Sequence, residues 1–244
     1  MNRLIRAERY RALKTYHLAL WTVLFCALFT FIGFSDFGFD SKAKAMQEFP
    51  LFMEDVMVML MYLPMFVGGM FVASYENKTL HYEMMTGNRT ITILLSKVIA
   101  VVPLLTIVMA AFMLSPVVYL GCKNGLGEDS QFVAKFFLLL FIVIRSICCS
   151  IFIMATFRSA VGLFVVFLRY LVLEGIGLLL LEFLGLSKKV YSYVCLFFTE
   201  TGVTTITMPD VPTKYFVAIV CYGVIEMLLW FVLSYVSYEK RWFA

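Results

Sequence analysis

Between Phe132 and Leu184 the chain runs almost unbroken through apolar side chains, and no other feature limits its fold so tightly. A helix crosses the hydrocarbon of a bilayer with ~20 mostly apolar residues, and a run of roughly fifty has room for two such crossings. Dividing the run at Phe157-Arg158-Ser159 gives two spans joined as a tight helical hairpin. Four further stretches qualify, so the expected spans are 17–34, 56–75, 91–120, 132–157, 159–184 and 215–236. The third is long enough to begin in the interface or to tilt, and Pro103 and Pro116 are its candidate kink points. Composition agrees: 62% of the 244 residues are hydrophobic and 15% charged, against roughly 25% charge in soluble domains. One water-soluble core of this size cannot hide so much apolar surface. The expectation is an all-α polytopic membrane protein, residues 1–244 forming a single transmembrane domain in the lipid bilayer.

The same numbers exclude disorder and a small disulfide scaffold. A net charge of +4 is too weak to call for a polyanion, so no nucleic-acid partner is expected. Cys26, Cys148, Cys149 and Cys221 lie inside apolar runs, where a thiol is a small hydrophobe. Cys122 and Cys195 lie near run ends, which leaves a pairing between them open. The two histidines, His17 and His81, and the absence of CxxC or Cys/His spacing give no metal-site pattern. The basic first 16 residues lead into an apolar run without a small-residue cleavage site, as in an uncleaved first span.

Charge fixes an expected orientation. Six spans put both termini on one side, and with the termini inside, the inner segments carry 11 basic residues against seven outside. The positive-inside rule therefore makes both termini cytoplasmic. Residues 3–16 form a basic, helix-compatible segment that suits an interfacial helix, or more plainly a positive anchor for the first span. Residues 76–89 join spans two and three. Asn77 can cap a short helix, Leu80 and Met84 share a face, Gly87 suits a left-handed stop, and Thr90 can cap the next span. Such a loop is either a docking knob or a solvated connector. Residues 190–198 are apolar but too short to span, and a Thr/Gly/Pro-rich stretch, Thr199–Thr213, follows. The pair reads as a re-entrant or interfacial element, sheltered by protein because bare backbone is costly in lipid.

No catalytic constellation is present. The chain lacks GxxxxGK[ST], HExxH, GxSxG and paired carboxylates on a helix, and Gly121-Cys122-Lys123-Asn124-Gly125 has the wrong order for a phosphate loop. Any active transport would draw its energy from another polypeptide or an ion gradient. The informative residues are ionisable groups inside the spans, each costing at least ~2.5–3.5 kcal/mol unless paired. Arg145, Arg169, Glu174 and Glu226 fall at about the same depth, ~17–24 Å from the inner ends of their helices. Arg169 and Glu174 are five apart, ~140° around the wheel, so each is expected to pair across helices, for example with Glu226 and Arg145. The group is a packing cluster or the polar lining of a translocation path. Glu182, near the outer boundary, is expected to snorkel.

The segment FVASYENKTLHYEMMTGNRTITILLSKVI, the basic N-terminal helix and the six-span layout resemble the type 2 ABC exporter permeases. The matching residues are Glu76, Lys78 and Thr79, then Asn88 and Arg89, then Leu95, Ser96 and Lys97. The motif covers residues 70–99 only, whereas the topology covers the chain. The resemblance implies that 3–16 is an interfacial connecting helix and that 76–89 is a cytoplasmic coupling helix. In that helix Glu76, Lys78, Thr79, Leu80, Glu83, Met84, Gly87 and Arg89 would engage an ABC ATPase. It implies a re-entrant region before the last span, a second permease chain, identical or homologous, and ATP and Mg held by the partner ATPase. This chain would bind no cofactor and carry no enzymatic activity. Short permeases with small outer loops resemble bacterial plasma-membrane subunits that export lantibiotics, other bacteriocins or drugs. The alternative of another class is a non-transporting sensor or assembly scaffold whose buried charges hold helices together.

Overall fold

The computed structural model describes residues 2–14, 44–46, 49, 53, 87–157, 159–169, 172, 174–208 and 210–242. The expected spans 17–34 and 56–75, and loop residues 76–86, lie outside the described residues. Among the described residues all regular structure is helical: α1 (Asn2–Lys14), α2 (Thr90–Asn124), α3 (Phe132–Phe157), α4 (Ser159–Leu168), α5 (Glu174–Phe183), α6 (Lys188–Cys195), α7 (Thr199–Thr207) and α8 (Thr213–Trp242). Among the described residues three helices are long and apolar enough to cross a membrane: α2, α3 and the Thr213–Ser237 part of α8. This is a membrane protein by the length and composition of those helices.

The axis of the fold is α3. Its apolar window is 72% buried, against 33% for α2 and 17% for α8, so the other helices are arranged around it. The side chains explain the order. From Leu138 to Ala155 nearly every position of α3 is packed, with Ile142, Ile147, Ile151 and Ile153 fully enclosed. By contrast α8 presents Val217, Val224, Leu228 and Val232 outward, as a lipid-facing helix does. Phe152 meets Phe231 edge to face at 5.4 Å, locking α3 to α8.

Several polar side chains in the long helices bond to their own backbone, as hydrocarbon favours. Pro116 stays within α2 because Ser115 Oγ donates to the Phe112 carbonyl at 2.8 Å, the acceptor that proline leaves without its usual amide. Ser150 Oγ donates to Ser146 O at 2.7 Å and Thr156 Oγ1 to Phe152 O at 2.8 Å. Gly125 (φ 86) ends α2 in a conformation that side chains resist, its amide donating to Gly121 O at 3.1 Å. Outside that end, Ala45 N and Met46 N donate to the carbonyls of Gly125 and Leu126 at 3.2 and 2.9 Å. Ala45, Phe49 and Met53, at helical spacing, are buried there, and Phe49 meets the Phe132 ring at 4.8 Å.

Several expectations are corrected or refined. The reversal after α3 is sharp: a Cβ on Gly162 would stand 3.2 Å from Met154 Cα, so α4 folds straight back along α3. The stretch 159–184, expected as one helix, is two ten-residue helices with π-helical backbone at Arg169 and Val172 between them. The interruption falls at the two buried charges of this stretch, Arg169 and Glu174, which are drawn to different partners (below). Thr199–Thr213, read as part of a re-entrant or interfacial element, is helical through Thr207, with its hydroxyls turned onto the helix: Thr204 Oγ1 donates to Glu200 O at 3.1 Å and Thr207 Oγ1 to Thr204 O at 2.8 Å. Thr90 is the first residue of α2 rather than its cap. Arg89 holds the capping position in an extended conformation without a side-chain cap bond. Cys122 and Cys195 are both free thiols.

One buried ion pair ties α1 to the bundle. Lys97 Nζ meets Glu8 Oε1 at 2.9 Å, with both side chains almost fully enclosed. Lys97, one of the exporter-like motif residues, is thus covered by α1. Replacing Glu8 by Ala takes away the carboxylate bonded to that ammonium and is expected to cost about 3–5 kcal/mol. Glu8→Leu with Lys97→Met should recover most of the loss in thermal unfolding of the purified protein. Equal losses in the single and double variants would contradict the pairing.

Candidate functional site

The four mid-span charges meet where α3, α4, α5 and α8 converge. Each is buried: Arg145 is 1% exposed, Arg169 8%, Glu174 7% and Glu226 5%. Glu226, midway along α8, accepts both arginines. Arg145 Nε donates to Glu226 Oε2 at 2.5 Å, and Arg169 Nη2 donates to Glu226 Oε1. One carboxylate thus links α3, α8 and the end of α4 by charge-assisted bonds, roughly twice as strong as neutral ones.

Close approach makes this geometry available. Gly223 lies one turn before Glu226, and a Cβ there would stand 2.5 Å from Phe141 Cε1 and 3.1 Å from Arg145 Cδ. The missing side chain is the slot through which the Arg145 stem reaches the carboxylate.

Glu174 has different partners. It was expected to pair with Arg145, but its carboxylate instead accepts the amides of Thr199 at 3.1 Å and Glu200 at 3.2 Å, and the Thr199 hydroxyl at 2.7 Å. These are the first amides of α7, which have no partner inside their own helix. Phe198, at the capping position, supplies no side-chain bond, so a carboxylate from α5 acts as the cap. The helix dipole favours a negative charge at that end.

Arg145 reaches the same segment from the other side. Its Nη2 donates to the Phe197 carbonyl at 2.6 Å, and its guanidinium carbon lies 5.5 Å from the Phe197 ring centroid. Phe198 is seated on Gly177 of α5, where a Cβ would stand 2.5 Å from Cε1 of its ring. The α6–α7 turn, Leu196–Phe198, is therefore gripped by a cation through a carbonyl and by an anion through two amides. Beyond α7, the Gln131 side-chain amide holds Val211 twice: Val211 N donates to Oε1 at 3.0 Å, and Nε2 donates to Val211 O at 3.3 Å. The α6–α7 turn and the segment after α7 are thus each held by side chains from elsewhere in the fold.

Of the expected ATPase-coupling residues, Glu76, Lys78, Thr79, Leu80, Glu83 and Met84 lie outside the described residues. Gly87 has φ 77, the left-handed conformation, and Arg89 is extended just before α2. The sequence reading missed Thr199, Gln131, Val211, Gly177 and Gly223. Only Gly223 had a signal: a residue without a side chain one turn from a buried acid, amid bulky neighbours. The chain matches no protein-family model, no curated protein and no solved structure.

The arrangement dictates an order of damage. Glu226→Gln removes the carboxylate charge that both Arg145 and Arg169 bond, and removing one partner of a buried pair costs ~3–5 kcal/mol. It should be the most destabilising single change. Arg145→Gln should follow, since it also releases Phe197, and Arg169→Gln should cost least. Thermal unfolding of each purified variant gives the ranking. A Glu226→Gln variant as stable as Arg169→Gln would show that the carboxylate is not shared.

Proposed function

We propose that the chain is the transmembrane subunit of an ABC exporter, moving an amphipathic or hydrophobic substrate such as a lantibiotic-like peptide or a drug. Export is powered by ATP and Mg bound on a separate ATPase chain, and a second permease chain, identical or homologous, completes the pathway. The site of action is the cell membrane, with both termini and residues 76–89 on the cytoplasmic side. The observation that carries this reading is the clamped α6–α7 turn. A membrane protein serving only as an anchor has no need to hold two helices too short to span, α6 and α7, on charges buried among its long helices. The exporter-like residues Glu76, Lys78 and Thr79, with Leu95, Ser96 and Lys97, support the same reading.

A scaffold or sensor is the second reading, and one observation favours it. Glu226 accepts two arginines and Glu174 accepts three donors, so both carboxylates are engaged within the fold, as in a packing cluster.

The coupling loop separates the two. In the export reading Leu80 and Met84 fill an apolar groove on the ATPase, and Glu76, Glu83 and Arg89 lie at its rim. A truncated apolar anchor typically costs ~2 kcal/mol or more, whereas an exposed charge contributes ~0–1 kcal/mol. Leu80→Ala with Met84→Ala should release the co-purifying ATPase or uncouple its hydrolysis from transport, while the protein stays folded. Undiminished co-purification together with normal transport would reduce this loop to a connector.

A further inference from the structure

The buried Lys97–Glu8 pair has an effect on the face of α1 turned away from the bundle. Between Asn2 and Lys14 the chain holds one acid, Glu8, against Arg3, Arg6, Arg9, Arg11 and Lys14. That acid is 6% exposed and lies against Lys97, so its charge is withdrawn from the surface of the helix. Arg6 and Arg9, one turn apart, are exposed, and among the described residues neither has an acidic partner. A helix with mixed charges in its sequence thus presents a cationic outer face in its structure.

The depth of that face follows from α2. Its 35 residues make a rod of about 52 Å, while the hydrocarbon is ~30 Å thick. The first eight residues of α2, Thr90 to Lys97, interleave Thr90, Thr92, Ser96 and Lys97 with Ile91, Ile93, Leu94 and Leu95, and a more uniformly apolar stretch follows from Val98. Because α2 exceeds the hydrocarbon thickness by ~22 Å, this mixed segment, ~12 Å of helix, fits within the headgroup layer. Since Glu8 is bonded to Lys97, α1 lies at that level too, with Arg6 and Arg9 among lipid headgroups.

We propose that Arg6 and Arg9 of α1 form a binding surface for anionic phospholipid, holding headgroup phosphates of negatively charged lipid in preference to zwitterionic lipid. Guanidinium is suited to phosphate because its planar donors bond two oxygens at once. Each basic residue near a charged leaflet contributes enough to change lipid partition roughly fivefold, and two together about thirtyfold. The surface does not depend on the export reading, because it needs only the position of α1 beside α2.

The test is lipid retention by the full-length protein, purified from an equimolar mixture of phosphatidylglycerol and phosphatidylcholine and weighed by native mass spectrometry. Wild type should keep phosphatidylglycerol selectively, and Arg6→Gln with Arg9→Gln should lower that preference about thirtyfold. Raising the salt concentration should erase the preference in wild type, a measurement that needs no variant. Inorganic phosphate at matched concentration should not displace the lipid. Equal retention of the two lipids by wild type, a preference indifferent to salt, displacement by free phosphate, or an unchanged preference in the double variant would each overturn the proposal. In the last case the arginines would be available to an acidic protein partner instead.

Discussion

Glu226 is the interaction on which the rest of the structure depends. A carboxylate midway along an apolar helix is tolerable only with its charge answered in place, and here two arginines from two other helices answer it. That requirement sets the distance between α3 and α8, and the distance is reached because Gly223 leaves the space that Phe141 and Arg145 occupy. It also fixes where α4 must end, since Arg169 lies at the π-helical step that follows Leu168. Apolar packing of α3 against its neighbours supplies area. The shared carboxylate supplies register, because sliding any one of the three elements would strand a charge.

The cluster does more than hold long helices together. Arg145 bonds both Glu226 and the Phe197 carbonyl, so α8 and the α6–α7 turn are joined through one guanidinium. Glu174 supplies the cap that α7 lacks in its own sequence. Arg145, on α3, thus couples α8 to the α6–α7 turn. At the far end of α2, Lys97 and Glu8 fasten α1 by the same device of one buried pair.

Much of the helical architecture was legible because hydrocarbon demands a plain pattern: the apolar runs 91–120, 132–157 and 215–236 are helices in the structure, the second with the same ends and the other two longer. The reversal near Arg158 was legible for the same reason. The run 159–184 was misread as one helix, because periodicity does not register the π-helical backbone at Arg169 and Val172. The depth of the four charges could be counted from helix ends, which brought Arg145, Arg169 and Glu226 to one level. Partner choice could not be counted. Glu174 and Arg145 share a depth band, yet Glu174 faces the amides of Thr199 and Glu200, a segment whose helix depends on being docked. Glu8 and Lys97 lie 89 positions apart, with no spacing rule to join them.

The central claim is that buried charge holds the turn between α6 and α7, and amide hydrogen exchange reads this directly. In the wild-type protein the amides of Thr199 and Glu200 should be strongly protected, because both donate to Glu174. In Glu174→Gln, which keeps size but removes the charge, protection at these two amides should fall well before that along α3. Unchanged protection at Thr199 and Glu200, or a uniform loss over α3 and α7 together, would contradict the clamp.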